Sequence, residues 1–376
     1  MKLLIHHPRL SYYLGGGEIV PLQQAAILSQ LGHDVTILTA KPIAYSTLYN
    51  QFRHQNRQIK VHEILLSPSQ RKIYTEEATM DWTRWDKEAI YFGQKAQSFY
   101  FENKDSYDLV ITHLLSDSIF IPESFTNVLH LHGVPVEYRS FDDIFLDRPN
   151  RFIAVSGSIK EGWMSLYPKL ENKDIEINYN GINLNEFTFS NDIRDIDLLY
   201  VGRLFAYKGI YNILDALTIL LKMGIAFNKL VMVGDGPELD NLKNRIKDLD
   251  LTDKVELYHN VDESVLQDYY HRSKVFLCPS SNYEGVLTTM MEAAASGCAI
   301  VTSNCCGMIE FARHEHTALL AKPNKPDKLA AMIQKLLQDT NLRSTLVNNA
   351  FTQVKQSWDM RKNVEMLVQL YESYVK

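Results

Sequence analysis

The strongest constraint on this chain is a local grammar that it uses twice: a short apolar strand, a tight turn, a helix and a second strand. In the N-terminal half, Leu3 to Ile5 reads as the opening strand and Gly15-Gly16-Gly17 as the turn after it. Ile19, Leu22, Ala26, Ile27 and Leu31 then recur at helical spacing. Pro21 suits the first turn of such a helix, where its missing N–H has no intrahelical partner to lose. Gly32 ends the helix and Val35 to Leu38 forms the next strand. Strand, helix and strand in this order make a right-handed crossover in a parallel sheet. Further strands are expected at 60–66, 108–112, 127–132 and 151–155.

The second half starts the grammar again. Asp197 to Val201 reads as a strand, 208–223 as a helix, Lys229 to Val233 as a strand and Pro237 to Leu249 as a helix. Strand 254–258, helix 263–272, strand 275–278, a helix around 287–296 and strand 298–302 follow. A last helix, Asp359 to Tyr374, has no strand after it. At 376 residues, 45% of them hydrophobic, the chain is long for one core and has apolar material for two. The expected fold is α/β: two Rossmann-like, doubly wound domains with their ligand crevices facing one another. They span 1–184 and 185–356, with a helix over 357–376 that returns to the first domain. Tyr179-Asn180-Gly181-Ile182-Asn183 is turn-rich and suits a hinge between them.

Charge and cysteine usage exclude several classes. A net charge of −6 argues against a general nucleic-acid binder, which needs a basic face. Cys278, Cys298, Cys305 and Cys306 show no CxxC spacing and read as reduced thiols, not as a metal site. No apolar run approaches the roughly 20 residues of a membrane span, and the opening MKLLIHHPRL is too short for a signal peptide. A cytoplasmic protein is the expectation. A nicotinamide-dependent oxidoreductase fits poorly, because Gly15-x-Gly17-x-x-Val20 lacks a third glycine. The strand Val35 to Leu38 also ends in Thr39-Ala40, without a ribose-binding acid.

The stretch from Pro279 to Gly297 is the most informative for chemistry. Glu284 leaves a strand, Gly285 opens the way to a helix, and Glu292 lies just over a turn into it. Amides at a helix start are unpaired donors at the positive end of the helix dipole, which suits a diphosphate. Two carboxylates flanking that turn can each accept from vicinal hydroxyls, one set on a sugar and one on a ribose.

This pattern, Glu284-Gly285 and Glu292-Ala293 with seven residues between the two glutamates, ending in Ser-Gly, resembles the signature of family 4, the large family of retaining glycosyltransferases with the GT-B fold. Other pieces match in order: Gly15-Gly16-Gly17 with Gly32-His33, His132-Gly133, Ser156, Asn180-Gly181, Val201-Gly202-Arg203-Leu204, Lys208-Gly209 and Gly234-Asp235-Gly236-Pro237. The resemblance thus covers essentially the whole chain. It implies that Arg203 and Lys208 bind the donor diphosphate and stabilise the leaving group. It implies that Glu292 holds the ribose, and that Glu284 and His132 contact the transferred sugar. Gly16, Gly17, Gly202, Gly234, Gly285, Val286, Leu287 and Thr288 would line the donor site. No metal or other cofactor is implied, since no Asp-x-Asp pair stands in a suitable loop and two cations replace it.

The implied partners are a nucleotide-diphosphate sugar and a sugar, lipid-linked or small-molecule acceptor, in hexosyl transfer. A bacterial surface polysaccharide is the context the family suggests. The chain departs from the family at Leu287, where a second small residue is usual, and at Thr288, where an apolar one is. Both put the donor sugar in doubt. The alternatives are a nucleotide-sugar epimerase or phosphorylase on the same fold, or a non-catalytic sugar-binding subunit. Arg53, Arg57, Lys60, Arg71 and Lys72, with an aromatic stretch from Trp82 to Phe101, suit an amphipathic helix on the sheet or a peripheral contact with an anionic membrane.

Overall fold

The structure, a computed structural model, describes residues 1–13, 16–67, 82–135, 137–140, 142–190, 193–259, 261–281 and 285–375. The chain forms two compact units, Met1–Asn180 with Arg361–Lys376, and Gly181–Met360. Each is a parallel sheet with helices packed against it.

In the first unit the strands are β1 (Lys2–His6), β2 (Asp34–Ala40), β3 (Lys60–Ile64), β4 (Leu109–Thr112), β5 (Asn127–Leu131), β6 (Arg151–Ala154) and β7 (Ile175–Ile177). Their spatial order is β3-β2-β1-β4-β5-β6-β7. Helices α1 (Gly16–Gln30), α2 (Thr47–Gln55), α3 (Trp82–Glu102), α4 (Asp142–Leu146) and α5 (Gly157–Leu166) connect them. Every residue of β4 and β5 is buried, the signature of a parallel sheet covered on both faces. The aromatic stretch packs inward: Ala89, Phe92, Ala96, Phe99 and Tyr100 of α3 are buried, and all but Ala89 lie in a cluster with Leu4, Leu38 and Val110. Phe101, on the other face, is 87% exposed.

Pro21 departs from its expected place. Helix α1 begins at Gly16, so Pro21 lies inside the helix and not in its first turn. A proline there leaves the carbonyl four residues back, that of Gly17, without its helical donor. His7 Nε2 stands 3.2 Å from that oxygen and fills the vacancy. A side chain from the end of β1 thus stabilises the helix that follows it.

In the second unit the strands are β8 (Ile196–Val201), β9 (Leu230–Val233), β10 (Val255–Tyr258), β11 (Ser273–Cys278), β12 (Ala299–Ser303) and β13 (Leu319–Ala321). They lie in the order β10-β9-β8-β11-β12-β13, the doubly wound pattern. Helices α6 (Ile210–Lys222), α7 (Leu239–Asp248), α8 (Glu263–Arg272), α9 (Thr288–Ala295), α10 (Met308–Phe311), α11 (Pro326–Gln338) and α12 (Thr340–Ser357) follow in sequence. Helix α13 (Met360–Val375) joins the first unit, where its Tyr371 hydroxyl meets His130 Nε2 at 2.8 Å. The edge strands β7 and β13 escape sequence reading because three residues carry no usable periodicity. Pairing with β6 and β12 makes them strands.

Backbone proximity at the strand ends depends on glycine. A Cβ on Gly234 would stand 1.9 Å from the Gly202 carbonyl oxygen, whereas one on Gly224, at φ +71°, would meet no atom within 4 Å. Gly234→Ala is therefore expected to destabilise the second unit by about 1–3 kcal/mol or more through backbone displacement. Gly224→Ala should cost only the left-handed penalty of about 1 kcal/mol. Urea midpoints read by hydrogen exchange of second-unit peptides test this; equal losses would contradict it.

Candidate active site

The doubly wound order puts a switch point between β8 and β11, where the chain leaves the two central strands in opposite directions. After β8 the chain runs Gly202, Arg203, Leu204. The Gly202 amide donates to Val233 O (3.0 Å), the Leu204 amide to Asp235 O (2.7 Å) and the Glu238 amide to Leu204 O (3.1 Å). These bonds join the turn after β8 to Gly234-Asp235-Gly236 after β9. Tyr200 Oη donates to Arg203 O at 2.9 Å, which fixes the backbone while the Arg203 side chain stays exposed. Its guanidinium lies 5.3 Å from the Phe205 ring centre.

A single 3-10 turn, Ala206–Lys208, follows and ends at Gly209 with φ +78°. Lys208 is 9% exposed, with Nζ 5.6 Å from the Tyr207 ring centre. The segment after β11 is fastened to this turn. The Ser281 amide donates to Tyr207 O at 2.8 Å, and a Cβ on Gly209 would collide with Pro279 O. Arg203 and Lys208 thus lie on a loop tied to the one that leads to Gly285, Val286 and Leu287. Those three and Thr288 are half-buried, and the Gly285–Val286 backbone packs against Gly307. Leu287 caps α9 with an apolar side chain, which offers the first amides of the helix no acceptor.

Glu292 sits one turn into α9 and accepts a hydrogen bond from the buried Tyr270 hydroxyl at 2.8 Å. Burial, and then the Glu292 charge, keeps the Tyr270 phenol well above its ordinary pKa, so it stays a donor. Tyr270 was not anticipated, because only the fold brings α8 beside α9. Glu284 and Gly15 lie outside the described residues. The structure therefore gathers Gly202, Arg203, Lys208, Gly234 and Gly285 to Thr288 at the carboxyl ends of β8, β9 and β11, with Glu292 just behind.

In the first unit the switch point lies between β1 and β4. His7, His113 and His132 are each the first residue past β1, β4 and β5, which are neighbours in the sheet. His113 Nδ1 is 2.8 Å from His132 Nε2. Burial pushes the His132 pKa down to about 4 and that of His130, whose neighbour His132 adds to the effect, to about 3. Both are neutral at physiological pH. His130 is the structural histidine of the pair. Trp163 Nε1 donates to Gly133 O at 2.6 Å, and Ser156 Oγ caps α5 by accepting from the Ile159 amide at 3.2 Å. Gly17 carries the carbonyl that His7 meets, and Gly16 opens α1.

Beside them is a buried cluster that sequence reading missed. Arg9, 1% exposed, faces Glu18 at 3.6 Å, Glu88 at 3.4 Å and Asp117 at 3.5 Å. One guanidinium cannot neutralise three carboxylates. Burial raises Glu18 and Asp117 to about 7 each, against the pull of Arg9. Burial also opposes the charge on Arg9, but Asp117 and Glu88 outweigh it and hold that pKa above its ordinary value.

Comparison with known proteins agrees with this geometry. Residues 185–353 match the family model described as glycosyl transferases group 1. An uncharacterised glycosyltransferase of Methanocaldococcus jannaschii is 33% identical over 223 residues, 55% of this chain and 56% of that protein. The capsular polysaccharide biosynthesis glycosyltransferase CapM of Staphylococcus aureus is 26% identical over 239 residues, 60% of this chain and 62% of CapM. The chain thus spans little more than half the length of these two relatives. Among solved structures, Anabaena HepE in complex with UDP and glucose superposes with TM-score 0.77 at 18% identity, covering 99% of this chain and 100% of HepE. Sucrose-phosphate synthase of Thermosynechococcus elongatus gives TM-score 0.82 at 19% identity, over 99% and 98% of the two chains. At such identities the likeness establishes the fold. This is the GT-B fold, and its second unit carries the group 1 glycosyltransferase match.

The Arg9 cluster carries a pH dependence. A carboxyl with a pKa of about 7 in the fold and about 4 unfolded gains a proton on folding between those limits. Its penalty is absent below the lower value and complete above the higher. Arg9→Met removes the positive charge that faces these carboxylates and is expected to cost about 3–5 kcal/mol at pH 8. The loss should be smaller at pH 6, where Glu18 and Asp117 can hold protons. Hydrogen exchange of β1 and β4 peptides across a urea series measures both values; the same loss at either pH would refute the assignment.

Proposed function

We propose that the protein is a retaining, metal-independent glycosyltransferase of family 4 that moves a hexose from a nucleotide-diphosphate sugar to a sugar, lipid-linked or small-molecule acceptor. The observation that carries this is the pairing, at the β8/β11 switch point, of two cations with the start of a helix. It falls inside the segment that matches the group 1 model.

In this reading Arg203 and Lys208 take up the charge that develops on the departing diphosphate, as preorganised cations do in other transfer sites. The amides after Gly285 hold the phosphate oxygens. Glu292, oriented by Tyr270, accepts from the ribose hydroxyls, and Glu284 from the sugar. Leu287 narrows the wall beside that sugar. His132, neutral and able to accept or donate one hydrogen bond, contacts the transferred sugar, as the resemblance to family 4 implies. The bond from the anomeric carbon to the phosphate oxygen breaks while the acceptor oxygen adds on the same face. The acceptor's proton passes to the departing phosphate oxygen. Retention follows, with no covalent enzyme intermediate.

UDP-sugars are the first donors to try, since HepE is described with UDP and glucose. Polysaccharide building is the first context, given the name of CapM. Among the described residues no helix is long and apolar enough to cross a membrane. Exposed Ile43 and Leu65 near Arg53, Arg57 and Lys60 in the chain support a cytoplasmic enzyme that touches the inner membrane face. Arg71 and Lys72 lie outside the described residues.

Nucleoside diphosphate release from UDP-, GDP-, ADP- and TDP-sugars, measured with and without acceptors, tests the reaction. Arg203→Ala and Lys208→Ala should each lower kcat by about 10²–10³-fold with the circular dichroism spectrum unchanged. Added chelator should not lower the rate, and proton NMR of the product should show the donor's anomeric configuration. Near-normal turnover by both variants would eliminate the proposal.

A further inference from the structure

Three imidazoles converge where β4 and β5 end. One ring nitrogen from each of His113, His130 and His132 lies within 4.8 Å of those of the other two. The ring centres are 4.9 Å apart for His113 and His130, 5.1 Å for His113 and His132, and 6.2 Å for His130 and His132. Hydrogen bonding within the protein leaves this group incomplete. His113 Nε2 is buried and has no hydrogen-bond partner among the described residues, which is costly for a ring nitrogen. His113 Nδ1 and His132 Nε2, 2.8 Å apart, can share only one proton between two nitrogens. His130 is held from outside the group by the Tyr371 hydroxyl, at 2.8 Å. That is the outer contact by which metal-binding histidines are commonly oriented.

We propose that His113, His130 and His132 form a binding site for a first-row transition-metal dication, with Zn²⁺ the best match to three imidazoles and one water. Imidazole nitrogen suits zinc, copper and nickel, whereas magnesium and calcium prefer oxygen ligands. Tetrahedral zinc with Zn–N bonds of about 2.0–2.1 Å requires nitrogens roughly 3.3 Å apart. His113 Nδ1 and His132 Nε2 stand 2.8 Å apart and the three ligand nitrogens lie within 4.8 Å of one another, so the rings must turn to reach that spacing. His113 and His130 are buried and His132 half-buried, so a fourth ligand would reach the ion most readily past His132. The metal does not serve transfer. It occupies the lone pair of His132 and so inhibits the reaction, a consequence that rests on the role of His132 proposed above. Metal binding itself does not.

The test uses the full-length protein, freed of metal with chelator and dialysed. Calorimetric titration with Zn²⁺ should show one equivalent bound at micromolar affinity or tighter. Co²⁺ in its place should give visible d–d bands of a histidine-ligated ion. His113→Ala and His130→Ala should each weaken Zn²⁺ binding at least tenfold; both lower the melting temperature of the metal-free protein as buried truncations do, His130→Ala also by orphaning the Tyr371 hydroxyl, so binding is compared at a temperature where each variant is folded. Should either fail to fold, His132→Gln, at the half-buried ring, and the Co²⁺ spectrum of the unaltered protein decide the matter. The absence of a stoichiometric site, or variants that bind like the parent, overturns the proposal. Inhibition is read separately: nucleotide release should fall over the Zn²⁺ range that fills the site and return with chelator. Full activity at saturating Zn²⁺ overturns the inhibitory role. A protein with no transferase activity on any donor would still give the binding isotherm, so the two readings fail independently.

Discussion

A parallel sheet wound outward in both directions from its centre leaves a gap where its two central strands end. The helices that follow depart to opposite faces, and neither covers the strand ends between them. In the second unit that gap lies between β8 and β11. Glycine lets the loops close around it: Gly234 lies against the Gly202 carbonyl, Gly209 against that of Pro279, and Gly307 against the Gly285–Val286 backbone. Three backbone approaches that no other residue permits put Arg203, Lys208 and the start of α9 on one rigid frame. Arg203 can then be exposed and yet positioned, because its carbonyl and its neighbours are fixed.

What could be read from the sequence follows from the same fact. Arg203, Lys208, Gly285 and Glu292 stand within a few residues of glycines that the turns require, so local pattern and local chemistry coincide. Most strands of both sheets could be read for a similar reason, since apolar runs bounded by turn residues have few alternatives, whereas the three-residue β7 and β13 are too short to show a pattern. The Arg9 cluster could not. Its partners Glu18, Glu88 and Asp117 come from α1, α3 and the turn after β4, and only sheet order brings them together. Tyr270 was hidden for the same reason, since no spacing relates it to Glu292. His113 had a legible signal that was overlooked. It follows its strand as directly as His132 does, and His7 does likewise. Pro21 was misplaced because a helix start was judged from apolar spacing, whereas the backbone turns helical at Gly16 and relies on His7 to repair the gap.

The two units handle charge in opposite ways. In the second, Arg203 is exposed, close to the ring of Phe205 and with no ion pair of its own recorded among the described residues. In the first, Arg9 and three carboxylates are buried together with histidines that burial holds neutral. Burying so many ionisable groups costs stability that an apolar cluster would not lose. They stand at the β1/β4 switch point, the kind of place where α/β sheets commonly bind ligands.

His132 is half-buried, whereas His113 and His130 beside it are buried. The His132 Nε2 is engaged by His113, and the pKa of the ring is low enough to keep it neutral. A neutral imidazole can orient a sugar hydroxyl without placing a positive charge near an oxocarbenium-like centre, which would oppose the charge that develops there. The same lone pair, for the same reason, is open to a metal ion. The orphaned Nε2 of His113 shows that hydrogen bonding alone does not account for why three imidazoles were gathered here.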